Sequence, residues 1–166
     1  MKIRTEFKVS VPAERAWEVI AEKFGDAAEW AATLESTSLK GSLGVGAIRT
    51  CRTKGVGPFP PATIEERLID FDSKQLRYTY VVESGLPAIF KSAQNTWSVE
   101  SISETSCIIH TLVIAKLNFW LRPLEWLFPL LLKRDLKKTF EELSHFIEQG
   151  KPHPRKVKSI SKRAKI

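Results

Sequence analysis

The chain has 166 residues, 43% of them hydrophobic, so it is long enough for one packed core and too short for two ordinary domains. Its formal charge of +7 arises at the end of the chain, because seven of the 26 lysines and arginines, and no acidic residue, lie in residues 151–166. Residues 1–150 carry 19 basic and 19 acidic residues, and this neutral balance argues against a body that binds nucleic acid.

The first elements are a strand and two short helices. Residues 3–11 alternate apolar and polar side chains, a pattern that predicts a half-buried strand. A helix then begins after Pro12 and ends at Gly25, because proline suits the first helical turn and glycine suits a helix end. Asp26 and Glu29 are spaced as a capping box, so we expect a second short helix to begin there.

Residues 34–117 show no helical period, only alternating runs separated by turn residues. Connections this short join antiparallel strands, since a parallel crossover needs about a dozen residues or more. Together with the first strand, the runs predict seven strands in a curved antiparallel sheet. The predicted strands are residues 34–40, 47–54, 63–71, 75–83, 90–101 and 106–116.

An apolar segment over residues 118–132 follows the sheet, broken by Pro123 and Pro129. It is too short and too interrupted to span a bilayer. Two interpretations remain open. The segment packs as a lid over a cavity, or it presents Trp120, Trp126 and Phe128 to a membrane or a partner.

A long amphipathic helix is predicted over residues 129–149, with Gly150 at its end. Its apolar stripe is Leu132, Leu136, Phe140, Leu143 and Ile147, and its exposed side is expected to carry the charge pairs Lys137–Glu141 and Lys138–Glu142. Residues 151–166 are basic and poor in large apolar side chains. We therefore expect one domain over residues 1–150 and a disordered tail over residues 151–166.

Five short segments carry a resemblance to a known family. They are VPAERAWEVI at 11–20, GVGAIR at 44–49, IEERL at 64–68, LRY at 76–78 and SGLP at 84–87. Their order and spacing resemble the START/Bet v 1-like (SRPBCC) superfamily, and within it the polyketide cyclase/dehydrase and lipid-transport-like proteins. The resemblance covers roughly residues 2–149. It implies an α+β helix-grip fold, in which the sheet wraps around the long C-terminal helix and leaves a hydrophobic ligand pocket between them.

Several polar and aromatic residues are candidates for lining such a pocket. Arg49 and Glu66 lie on neighbouring predicted strands and can pair either inside the pocket or at the surface. Aromatic rings and amides either supply an apolar pocket wall with a few polar atoms or simply fill the core, and for Trp97 both interpretations remain open. These candidates are Tyr78 and Tyr80 on one strand and Asn95 and Trp97 on the next.

His110 alternates with Ile108, Leu112 and Ile114, so we expect it to face the interior. There it would be either a hydrogen-bonded core residue or a proton-transfer group, since the pKa of histidine lies near neutrality. The catalytic residues, if any, are not identified by a motif.

Cysteine and histidine usage indicates no metal site and no cofactor. Only two cysteines occur, Cys51 and Cys107, and the three histidines, His110, His145 and His153, are too scattered for a metal-ligand motif. Neither a disulfide framework nor an apolar stretch of signal-peptide length is present, so we expect a reducing, cytoplasmic location.

Two functions remain open. The first is binding or transport of a hydrophobic small molecule or lipid, with peripheral contact to an anionic membrane through residues 118–132 and the basic tail. The second is a cyclase, dehydratase or isomerase acting on a polyketide-like or other hydrophobic substrate, in which His110 or a tyrosine transfers a proton and Arg49 stabilises negative charge. Convergence of three or more polar candidates on one point of the cavity would favour the enzyme. A nucleic-acid partner is the least favoured interpretation.

Overall fold

The structure is a computed structural model that describes residues 1–55, 59–124 and 126–163, without the side chains of residues 122, 124, 129–133, 162 and 163. The described residues form one seven-stranded antiparallel sheet. Its strands are β1 (Lys2–Val9), β2 (Leu34–Lys40), β3 (Ile48–Thr53), β4 (Thr63–Asp72), β5 (Arg77–Ser84), β6 (Phe90–Ser103) and β7 (Ser106–Leu117). The predicted strands are confirmed to within a few residues at each end.

The strand order is β1-β7-β6-β5-β4-β3-β2, so the meander from β2 to β7 returns to the strand with which the chain began. β1 and β2 are the two edges. The helices between them must therefore cross one face of the sheet. The helix-grip architecture implied by the family resemblance is confirmed.

Two short helical segments follow β1. Helix α1 (Ala13–Trp17) continues as a π-helical turn over Glu18–Glu22, and a 3-10 helix spans Phe24–Glu29. The break between them falls at Lys23, whose φ of −94° and ψ of 35° are non-helical. The predicted helix end at Gly25 was therefore wrong.

The predicted capping box at Asp26 was also wrong. The backbone N–H of Asp26 donates to the carbonyl oxygen of Lys23 at 2.9 Å, so Asp26 lies inside a turn instead of starting a helix. The role of Gly25 is to allow close packing and not to end a helix. A Cβ atom built there would lie 3.0 Å from Cβ of Leu39, so glycine allows this segment to pack closely against β2.

Helix α2 (Phe128–Gln149) covers the inner face of the sheet. Its Phe140, Leu143 and Ile147 are buried in the core, as the apolar stripe predicted; the side chain of Leu132 lies outside the described residues. Gly150 adopts a left-handed conformation with a φ of 67°, and its N–H donates to the carbonyl oxygen of Phe146 at 2.9 Å, which ends the helix. Among the described residues, no helix is long and apolar enough to cross a membrane.

The sequence predicted a disordered tail, but Pro154–Arg163 form a helix, α3, that packs against the body. Arg155 Nε donates to Glu142 Oε1 at 2.8 Å, and Lys156 Nζ donates to the carbonyl oxygens of Ala31 and of Leu34, the first residue of β2. These charged groups have fixed partners, which composition cannot reveal. Residues 164–166 of the predicted tail lie outside the described part.

Glu142 was predicted on the exposed side of α2, yet it is 3% exposed. Its carboxylate accepts from the N–H of Ala32 at 2.8 Å through Oε2 and from Arg155 through Oε1. The partners lie 110 residues before and 13 residues after it in the chain. An i, i+4 spacing with Lys138 could therefore not indicate its true environment.

Candidate functional site

A cavity of about 240 Å³ lies between the inner face of the sheet, α2 and the helical segment after β1. Strands β3 to β7 supply its floor, and Leu136, Thr139 and Phe140 of α2 supply its roof. The volume is below the roughly 300–1,000 Å³ of a site for a drug-sized ligand. At this volume, the cavity has room for a small ligand only.

Six of the seven predicted site residues line this cavity, and His110 does not. The six come from four consecutive strands of the sheet, which places their inward side chains side by side. They are Arg49 on β3, Glu66 on β4, Tyr78 and Tyr80 on β5, and Asn95 and Trp97 on β6.

Arg49 and Glu66 form a buried ion pair. They lie opposite each other in the β3–β4 register, and they are 8% and 9% exposed. Arg49 Nε and Nη2 lie 2.7 and 2.5 Å from Glu66 Oε2. Arg49 Nη1 also donates to the carbonyl oxygen of Phe24 at 2.8 Å. The structure thus selects the interior pairing over the surface ion pair.

The charge of Arg49 is neutralised within the site. Burial is the largest single effect and lowers the pKa of the guanidinium, but the Glu66 carboxylate and weaker interactions with Cys51, Tyr80 and Tyr78 together raise it by more, so the net shift is upward and Arg49 stays protonated. The guanidinium carbon lies 3.8 Å from the ring centroid of Phe24 and 5.3 Å from that of Tyr80, so aromatic faces complete its surroundings. Little positive charge remains for an anionic ligand.

Cys51 also contacts this pair, with its Sγ 3.5 Å from Glu66 Oε2. Burial, and secondly the charge of Glu66, raise the pKa of the Cys51 thiol to about 12. The thiolate is the nucleophilic form of cysteine. Cys51 is therefore a neutral wall of the cavity at physiological pH.

Aromatic rings in mutual contact form one wall of the cavity. The rings of Tyr78 and Trp97 are parallel within 1° at a centroid distance of 6.4 Å, and Trp97 meets Phe140 edge to face at 6.2 Å. Burial raises the pKa of both Tyr78 and Tyr80, so their hydroxyls remain protonated. Asn95 Nδ2 donates to the hydroxyl oxygen of Tyr80 at 3.2 Å.

His110 was predicted to face the interior, and this was wrong. Its Nε2 lies 3.0 Å from Glu100 Oε2, and its Nδ1 lies 3.6 Å from Glu6 Oε2, all on the outer face of the sheet. The inward residues of β7 are the odd-numbered ones, including Thr111 and Val113, which line the cavity and were missed.

The error at His110 has a physical cause. Both faces of β7 are rich in apolar residues, so alternation alone could not indicate which face is inside. The informative signal was the register, in which His110 pairs with Glu6 on the edge strand β1. Directly opposed residues of antiparallel strands share a face, and the Glu6 face of β1 is plainly polar.

A second, larger space of about 790 Å³ is an open groove between β1 and α2, which we call the outer groove. Ile3 and Phe7 of β1 form one side, and Leu136 and Phe140 of α2 form the other. Leu136 and Phe140 also line the cavity. Phe140 stacks on Phe7 with a centroid distance of 4.7 Å, so this ring lies between the two spaces.

Part of the segment 118–132 is exposed. A 3-10 helix spans Phe119–Leu124, and Phe119, Trp120 and Trp126 are 81%, 60% and 68% exposed. Phe128 instead packs edge to face against Phe90 of β6, at 6.1 Å. The three exposed rings do not close the cavity as a lid would. Residue 125 and several side chains of this segment lie outside the described part.

Comparison with known proteins gives one family match. The family model described as "Polyketide cyclase / dehydrase and lipid transport" matches residues 1–145. A search of curated proteins finds no match.

Similar solved structures support the fold. An uncharacterised protein from Bacillus thuringiensis has 18% identity and a TM-score of 0.71, with 89% of this chain and 98% of that chain covered. Norcoclaurine synthase from Thalictrum flavum, solved with dopamine and hydroxybenzaldehyde, has 20% identity and a TM-score of 0.66. The match covers 89% of this chain and 86% of the synthase. Ara h 8.0201 has 14% identity and a TM-score of 0.71, and the match covers 89% of this chain and 97% of Ara h 8.0201.

Proposed function

The chain belongs to the polyketide cyclase/dehydrase and lipid transport family, and on that basis we propose that it binds a hydrophobic small molecule or lipid in the cavity between sheet and α2. One observation carries the proposal. The buried charged groups of the cavity, Arg49 and Glu66, satisfy each other, while the stacked rings of Tyr78 and Trp97 face the remaining space. Such a surface favours flat or aliphatic apolar ligands.

The size of the cavity limits the ligand unless the cavity opens. Phe140 and Leu136 line both the cavity and the outer groove, so a different rotamer of Phe140 would join the two spaces. Under the proposal, a ligand larger than the cavity extends past Phe140 toward β1. A small ligand would leave Phe140 in place.

A matched pair of variants tests the proposal. Val113 lines the cavity, whereas its neighbour Leu112 points to the opposite face of β7. Val113→Trp should fill the cavity, while Leu112→Trp adds the same ring outside it. Native mass spectrometry of protein purified from its own source should detect a bound apolar molecule in wild type and Leu112→Trp, and none in Val113→Trp. A folded Val113→Trp variant that retains the same ligand would refute the proposed site.

The second candidate is an enzyme of the cyclase, dehydratase or isomerase type. It is favoured by the proximity of three predicted groups, since Tyr80 contacts both Arg49 through its ring and Asn95 through its hydroxyl. In this scheme a protonated tyrosine donates a hydrogen bond to a substrate oxygen. The neutralised charge of Arg49 and the raised tyrosine pKa values make the binding function the better supported of the two.

We also propose that the protein makes peripheral contact with an anionic membrane. Phe119, Trp120 and Trp126 are exposed in the segment 118–132, and aromatic side chains of this kind partition to lipid interfaces. On α3, Val157, Ile160 and Lys158 are exposed and add apolar and cationic groups. A cytoplasmic setting agrees with the two free, buried thiols.

A further inference from the structure

Two polar atoms of the cavity have no hydrogen-bond partner among the described residues. They are Asn95 Oδ1, which can only accept, and Trp97 Nε1, which can only donate. Asn95 and Trp97 are two residues apart on β6, so their side chains leave the same face of the strand, and both line the cavity. Buried polar atoms are nearly always paired in native proteins, so this acceptor and donor require an explanation.

Both atoms are held in place by neighbouring contacts. The amide nitrogen of Asn95 donates to the Tyr80 hydroxyl at 3.2 Å, which directs Oδ1 away from that bond. The ring of Trp97 is 8% exposed and is fixed between Tyr78 and Phe140. Neither side chain can rotate to find another partner without breaking these contacts. The acceptor and donor are therefore prearranged for a third group.

We infer that the cavity recognises a hydrophobic molecule through a hydroxyl group, which donates its hydrogen to Asn95 Oδ1 and accepts from Trp97 Nε1. The inference rests on the proposed ligand-binding function and narrows it to alcohols and phenols. A hydroxyl is the smallest group that both donates and accepts. An ether or a ketone only accepts, and it would leave Asn95 Oδ1 unpaired.

A carboxylate ligand fits this site poorly. It would place two acceptor oxygens near Asn95 Oδ1, and the two cations that line the cavity, Arg49 and Lys23, are already paired with Glu66 and Glu18. Burying an unpaired negative charge is strongly unfavourable. The cavity should therefore select an alcohol over the acid with the same carbon skeleton.

The test compares four probes of one ring system by isothermal titration calorimetry on the full chain. 2-Naphthol donates and accepts, 2-methoxynaphthalene only accepts, naphthalene does neither, and 2-naphthoic acid is ionised at pH 7.5. We expect 2-naphthol to bind roughly tenfold or more tightly than each of the others, because only it pairs both atoms.

Two variants separate the hydroxyl contact from packing. Asn95→Leu removes the acceptor at similar volume and should reduce the preference for 2-naphthol over 2-methoxynaphthalene to about twofold or less, with naphthalene binding retained. Thr96→Val is the matched control, since Thr96 points to the other face of β6 and bonds Thr79 there. It should leave the full preference intact. If Asn95→Leu does not fold, Trp97→Phe tests the donor instead. It should weaken 2-naphthol and 2-methoxynaphthalene relative to naphthalene, and it should leave the preference for 2-naphthol over 2-methoxynaphthalene intact, because only Asn95 Oδ1 distinguishes those two probes.

The outcomes distinguish recognition of a hydroxyl group from binding of an apolar ligand in the cavity. Equal affinity of the wild-type protein for 2-naphthol, 2-methoxynaphthalene and naphthalene would overturn the hydroxyl inference and leave apolar ligand binding intact. Absence of binding by all four probes would overturn both. Tighter binding of 2-naphthoic acid than of 2-naphthol would also refute the inference, because it would require an available cation in the cavity.

Discussion

The buried pair of Arg49 and Glu66 gives the sharpest stability prediction. Replacing Arg49 by Met removes the cation but leaves the Glu66 carboxylate in a nearly closed site. Breaking a buried pair from one side costs about 3–5 kcal/mol, because the remaining charge is uncompensated. Arg49→Met should therefore lower the free energy of unfolding by that amount, and Glu66→Leu should do likewise.

The double variant decides whether the interaction is the cause. Arg49→Met with Glu66→Leu removes both charges, so most of the loss should be recovered and the coupling between the substitutions should be large. Urea unfolding followed by tryptophan fluorescence measures each free energy, and a slope typical of small proteins, about 1–3 kcal/mol per M, makes such differences easy to resolve.

The chain supplies a matched control for this cycle. Arg67 on β4 and Glu83 on β5 form a two-pronged ion pair, with distances of 2.5 and 2.9 Å, on the solvent-exposed side. Arg67→Met should change stability little, since exposed pairs are screened by water. An Arg49→Met variant whose free energy of unfolding falls no more than that of Arg67→Met would refute the reasoning. So would a double variant that loses as much free energy of unfolding as the two single variants together.

Three further predictions follow from the cavity and the exposed segment. Phe140→Leu should accelerate the association of a hydrophobic fluorescent probe in stopped-flow experiments, because the ring that separates cavity and outer groove becomes smaller. Alkylation resolved by mass spectrometry should find Cys51 and Cys107 unreactive at neutral pH in the folded protein, since burial raises their pKa values to about 12 and about 11. Replacing Trp120 and Trp126 by Ser should reduce co-sedimentation with phosphatidylserine vesicles, and salt should weaken the binding of the wild-type protein.

Each of these has an outcome that contradicts it. An unchanged association rate in Phe140→Leu would mean that the ligand enters elsewhere. Rapid labelling of Cys51 under native conditions would contradict its burial. The unfolded chain ionises the Cys51 thiol near pH 9.0, whereas the folded protein ionises it only near a pKa of about 12. Ionisation therefore favours the unfolded state in this range, so the free energy of unfolding should decline as the pH rises from 9.0 toward about 12. Equal vesicle binding by the tryptophan double variant would exclude the exposed segment as the contact.

The strands were predictable because their ends carry explicit turn chemistry. β4 was predicted over residues 63–71 and spans Thr63–Asp72, where Asp72 Oδ1 accepts from the N–H groups of Lys74 and Gln75 in the following turn. The pairing of Arg49 with Glu66 was predicted from their places on neighbouring antiparallel strands, but its burial was one of two open alternatives. The structure decided between them, because the register of β3 and β4 and the cover over this face come from tertiary packing.

The errors arose where local pattern and tertiary packing disagree. The environment of His110 depends on a strand pairing 104 residues away in sequence, through Glu6. The environment of Glu142 depends on Ala32 and Arg155, neither of which a helical period can indicate. The unpaired atoms of Asn95 and Trp97 were equally invisible, because an unmet hydrogen bond is a property of the packed interior.

The contacts of α3 change how a membrane role for the basic tail can be studied. Arg155 neutralises the buried carboxylate of Glu142, so deleting residues 151–166 would leave that charge without its cation. The loss of vesicle binding after such a truncation would then reflect disturbed folding as well as missing positive charge. Lys158 lies on the exposed side of α3, away from these contacts. A substitution such as Lys158→Glu therefore removes a cation that is available to a membrane while the packing of α3 is retained, which truncation cannot do.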